Sequence, residues 1–175
     1  IYLLLGVTLI YFFVKSSDGR VSRTIGLVSP LFIASSLLNM GWIVSFSYDL
    51  IGLSTVLIIL MAILLVMIIG KLYENRGSIS YVLASIAFTL YASWVFIASF
   101  VNVAAFLVKL GWNGFGIADS YWTLVVVAIA IVAVVAYILK YRNALAPAGV
   151  AWAFFAIHRA YKSGEITAQL SSAIE

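Results

Sequence analysis

Cysteine is missing from this chain altogether, so disulfides and thiolate metal sites are excluded. Charge is almost as scarce. Only 9% of the 175 residues are charged, whereas a soluble domain carries about 25%. Acidic side chains number six, and none falls inside a long apolar run, which speaks against a proton- or ion-coupled transporter. A lone histidine, His158, has no partners at metal or haem spacing and reads as an interfacial residue. Neither a Ser–His–acid set nor a paired carboxylate is present, so no catalytic and no metal-ligating residue is assigned. What fills the space is apolar: 65% of the residues are hydrophobic and the mean hydropathy is +1.18. The fold class is therefore all-α, an integral membrane helical bundle. The net charge of +4 does not point to nucleic acid, because the basic residues sit between hydrophobic runs, as membrane flanks do.

Six spans are expected. Residues 1–14 are apolar but short for a crossing, and they lack a basic leader and a small-residue cleavage site. This segment reads as the tail of a helix that begins upstream. A polar loop at 15–20 follows, then a helix over 26–46 with Pro30 in its first turns, where proline is tolerated. The next helix, 50–70, is almost purely aliphatic. The central stretch, 81–110, has about twenty-eight apolar residues, and at ~1.5 Å per residue it exceeds a ~30 Å hydrocarbon core. A glycine-rich turn at 111–116 lacks the basic residue of a phosphate loop. Residues 121–139 are rich in β-branched side chains, yet their length favours a membrane helix over a strand. A short helix at 147–161 and a polar tail end the chain. In domain terms this gives a bundle over 1–110, two added helices within 111–162, and a tail at 163–175. No internal repeat is visible, which leaves an inverted-repeat transporter without support.

Basic residues orient the bundle. Lys15, Arg20, Arg23, Lys71, Arg76, Lys140 and Arg142 follow the first, third and fifth helices, whereas Lys109, Arg159 and Lys162 fall on the other side. The positive-inside rule places the first set in the cytoplasm. Lys109, beside Trp112, is expected to snorkel to the interface, and so is Arg159. Trp112 and Trp122 mark a membrane boundary.

Polar residues inside the spans are not scattered. At ~100° per residue, Tyr91, Ala98, Asn102, Ala105 and Lys109 fall within roughly 30° of one direction, with Trp94 about 60° to one side. On the 26–46 helix, Ser35, Asn39 and Trp42 likewise share a face. The plain reading of each asparagine is a helix–helix hydrogen bond, worth roughly 0.6 kcal/mol on average in a membrane. The functional reading rests on the combination. Two helices each carry an Asn and a Trp near mid-depth, and apolar walls with a few convergent polar groups suit a flat hydrophobic ligand.

These residues also carry a resemblance. Leu38-Asn39-Met40-Gly41-Trp42 resembles the Leu-Asn-x-x-Trp signature of the TspO/translocator-protein family, the tryptophan-rich sensory proteins. Tyr91, Trp94, Ala98 and Asn102 resemble that family's last helix, which reads Tyr-x-x-Trp-x-x-(Phe)-Ala-x-x-x-Asn. Ile1-Tyr2-Leu3-Leu4-Leu5-Gly6 is similar to its Leu-Tyr-x-x-Met-Gly segment. The likeness covers about residues 1–108. Leu90 stands where the family has proline, and the family's first helix and Trp-x-Pro-Pro loop would precede Ile1. With that helix the protein would have seven spans, as an extended, divergent member.

The resemblance implies a pocket between helices for a tetrapyrrole, a sterol or another apolar ligand. Asn39, Trp42, Tyr91, Trp94, Ala98 and Asn102 would form or support it. No cofactor is obligatory; a porphyrin or haem-type molecule is the ligand class implied. Expected partners are membrane lipid and a hydrophobic small molecule, with a homodimer or a larger membrane complex as the assemblies. Two rival functions stand beside binding: a structural accessory subunit, and light-dependent porphyrin breakdown through Trp42 or Trp94.

Overall fold

In a computed structural model of the chain, residues 2–74, 79–117 and 119–141 are described, together with isolated positions between 147 and 159. Among the described residues there are five α-helices and no strand: α1 (Tyr2–Val14), α2 (Gly19–Ser47), α3 (Ile51–Glu74), α4 (Ile79–Lys109) and α5 (Asp119–Tyr141). Three of them, α2, α3 and α4, are long and apolar enough to cross a membrane. Of the expected helix at 147–161 only Pro147, Ala148, Ala151, Phe155 and Arg159 are described, all of them helical, while His158 and the tail at 163–175 lie outside the described residues.

The helices begin and end where local chemistry stops them. Asp18 caps α2, its Oδ1 accepting from the backbone N–H of Arg20 at 2.8 Å and of Val21 at 3.4 Å. This cap starts α2 at Gly19, not at residue 26. Pro30 consequently sits in the helix interior rather than its first turns. Having no N–H, it leaves the carbonyl of Gly26 without its usual helical donor. At the far end of α4, Gly111 takes φ 72°, its N–H bonds Val108 and the Trp112 N–H bonds Leu107, which is a Schellman stop. A short 3-10 turn, Gly114–Gly116, then leads to α5, which begins at Asp119, two residues before the expected 121.

Packing is organised by α3. Ile58, Met61, Leu65, Ile68 and Leu72 are all 2% exposed or less, and they recur at alternating steps of three and four. That spacing keeps one seam facing a neighbour along the whole helix. On α4 the matching seam is Ala84, Ala87, Phe88, Tyr91 and Val95. Because lipid tails are as apolar as leucine, close contact rather than water exclusion must hold such helices together. The most aliphatic helix thus lies against both α2 and α4. α1 packs on α4, and the C-terminal half of α5 docks through Tyr137, whose hydroxyl lies 2.7 Å from Thr89 Oγ1, and through Tyr141 against Tyr73.

Candidate functional site

The α2–α3–α4 arrangement brings four of the six candidate residues, Trp42, Tyr91, Trp94 and Asn102, into one network. Asn102, 2% exposed, is its hub. Its Oδ1 accepts from Trp42 Nε1 at 3.2 Å and from Ser54 Oγ at 3.1 Å. Its Nδ2 donates to the carbonyl of Ala98 one turn back, at 3.0 Å, and its own carbonyl accepts from Thr55 Oγ1 at 3.2 Å. One amide therefore ties three helices. Ala98 enters as a backbone acceptor and as a small residue packed against the core.

The aromatic residues form a contiguous row. Trp42 meets Trp94 edge-on at 5.9 Å, Trp94 stacks on Tyr91 at 6.5 Å, and Tyr91 lies 6.4 Å from Tyr2 of α1. The Tyr91 hydroxyl points at Met61 Sδ, 3.4 Å away. Trp42 and Asn102 lie one to two turns from the ends of their helices, so this part of the cluster is nearer one end of the bundle than mid-depth. Trp94, by contrast, is halfway along α4.

Asn39 stands apart. Its Oδ1 is buried and accepts no hydrogen bond among the described residues. It lies one turn before Trp42 on α2. Asn39 and Asn102 are thus in opposite conditions: the side-chain oxygen of one is unmet and that of the other accepts twice. A buried acceptor left alone costs roughly 1–3 kcal/mol, and most such groups in native proteins have a partner.

Of the clefts in the described surface, two well-formed ones are bordered by none of the six candidates. One lies among α1, α2 and α4, lined by Leu5, Thr8, Phe12, Val28, Phe32 and Phe88. The other lies among α3, α4 and α5 and is lined by tyrosines. Among the described residues there is no cluster of three or more histidine or acidic side chains that could hold a metal.

Sequence reasoning missed Ser54 and Thr55. They are the only hydroxyl residues in 51–70, and that isolation on an otherwise aliphatic helix was the available signal. Lys109, at the end of α4, is paired with the exposed Asp49 carboxylate, and it donates to the Asp49 carbonyl at 2.6 Å. The tight α2–α3 turn, with Asp49 at φ 57°, presents both acceptors to it.

A family model described as TSPO-like protein matches residues 1–174, well past the segment whose motifs carry the resemblance. No match was found among curated proteins or among solved structures. Apolar helices able to cross a bilayer, the Asn/Trp pairs of α2 and α4, and a match over nearly the whole length agree: the chain belongs to the TSPO-like family of integral membrane proteins.

Proposed function

We propose that this protein is a membrane-embedded binding and sensory protein for a tetrapyrrole or a similarly flat apolar ligand, taken up between α2 and α4. The observation that carries this reading is the unmet Asn39 Oδ1 one turn from Trp42. It calls for an N–H or O–H donor, and a pyrrole N–H supplies one within an otherwise apolar, flat body. Trp42, Trp94 and Tyr91 provide ring faces for such a body. Their edge contact must open to admit it, exchanging an aromatic pair worth about 0.5–1.5 kcal/mol for contact with the macrocycle. Asn102 keeps the three helices in register while this happens, since its hydrogen-bonding groups are already engaged.

The test is titration of the detergent-purified protein with protoporphyrin IX, followed through tryptophan quenching and through the porphyrin's own absorbance. Saturable binding that is much weaker in a Trp42→Phe/Trp94→Phe variant is expected. No saturable binding by the folded wild type would overturn the reading and leave a structural subunit as the better account.

A further inference from the structure

The two ends of the bundle differ sharply in charge. α1, α3 and α5 finish, and α2 begins, at one end: the α1–α2 turn spans only a few residues, α2 and α3 form a tight antiparallel pair, and Tyr141 of α5 meets Tyr73 of α3. That end collects Lys15, Arg20, Arg23, Lys71 and Lys140. The two described acids at that end, Asp18 in the α2 cap and Glu74 paired with Lys71 at 3.3 Å, are outnumbered by these cations. Lys15, Arg20, Arg23 and Lys140 are exposed and form no ion pair with the described residues. At the opposite end Lys109 of α4 is paired with Asp49 of the α2–α3 turn.

The basic end also holds the tyrosine cleft. Tyr73, Tyr81, Tyr137 and Tyr141, from three helices, wall it above Ile69 and Leu72. Tyr73 and Tyr141 meet edge-on at 5.3 Å, Tyr137 and Tyr141 at 4.9 Å, and Lys140 Nζ lies 5.1 Å from the Tyr141 ring centroid. Amphipathic rings over an apolar floor, with an ammonium at the rim, match the layering of a phospholipid from glycerol to phosphate. An aromatic belt alone would anchor the helices without regard to lipid charge. An excess of cations at the same end adds that preference.

We infer that the basic end of the bundle is a selective seat for anionic phospholipid headgroups, with the tyrosine cleft between α3, α4 and α5 as its best-formed part. This does not depend on the tetrapyrrole reading. The occupant is fixed by charge complementarity and by continuity with the exposed apolar sides of the same helices, such as Val132, Val135 and Leu139 of α5.

The experiment is native mass spectrometry of the full chain released from micelles holding equimolar phosphatidylglycerol and phosphatidylcholine. Preferential retention of phosphatidylglycerol is expected. Each cation near a charged surface contributes about fivefold, so an Arg20→Gln/Arg23→Gln/Lys140→Gln variant should lose at least about tenfold of the preference. Lys109→Gln should leave it intact. Thermal unfolding in the two lipids guards against misfolding: phosphatidylglycerol should raise the midpoint of the wild type and not that of the triple variant. Equal retention of the two lipids, or a preference that survives in a folded triple variant or falls in Lys109→Gln, would overturn the inference.

Discussion

Replacing Asn39 by leucine should stabilise the ligand-free protein, whereas the same replacement at Asn102 should destabilise it. Both are asparagines in membrane helices, so chemistry alone predicts one sign for both. Their surroundings predict two. Asn39→Leu removes a buried acceptor that accepts nothing from the described residues, lifting a desolvation cost of roughly 1–3 kcal/mol and putting an apolar side chain of similar size in its place. Since polar groups in an unfolded membrane protein also find partners, the lower half of that range applies, about 1 kcal/mol of gain. Asn102→Leu deletes the acceptor of Trp42 Nε1 and of Ser54 Oγ. Ser54 retains the carbonyl of Ile51 at 2.9 Å, but the indole N–H loses its only hydrogen-bond partner among the described residues. Since the single Ser54 proton still has an acceptor, the loss is the one bond that orphans the indole donor, about 2 kcal/mol. The assay is reversible unfolding in mixed dodecyl maltoside and SDS micelles, read by circular dichroism. A separation of about 3 kcal/mol between the two variants is expected. If Asn39→Leu destabilises as much as Asn102→Leu, then Asn39 is a structural bridge and the argument for an unmet acceptor fails.

Two further outcomes follow from the packing. A Cβ at Gly52 would stand 3.0 Å from Phe106 Cε2, so Gly52→Ala should cost about 1 kcal/mol in the same assay, and Phe106→Leu in the same chain should recover most of it. Lys109→Gln removes an exposed pair, so the loss should stay below about 1 kcal/mol and shrink as salt rises from 0.05 to about 0.5 M.

Much of this arrangement is legible in the residues themselves. Hydropathy and length locate the long apolar helices, because a bilayer leaves the backbone few alternatives to a helix. The 100° stripe on α4 correctly singles out Asn102 and Tyr91 as inward-facing, both now 3% exposed or less. Boundaries are harder to read. Asp18-Gly19-Arg20 has the composition of a loop, yet the aspartate is the cap that begins α2, so polar residues become its first two turns and Pro30 moves to its interior. Partner choice is harder still. Periodicity says which face of a helix is inward, not which helix it meets, and the almost purely aliphatic 50–70 segment gave little sign that Ser54 and Thr55 would bond Asn102. The different conditions of Asn39 and Asn102 could not be read from sequence, since each depends on donors brought from other helices.

The most direct measurement is the affinity of protoporphyrin IX for the wild type and for Asn39→Leu, followed by porphyrin absorbance so that no tryptophan signal is needed. If the Asn39 carbonyl receives the ligand's N–H, the variant should bind about five- to tenfold more weakly, the equivalent of one hydrogen bond, while unfolding no more easily than the wild type. Equal affinity in the two proteins would contradict the account, and Asn39 would then lie outside whatever site the family's ligand occupies.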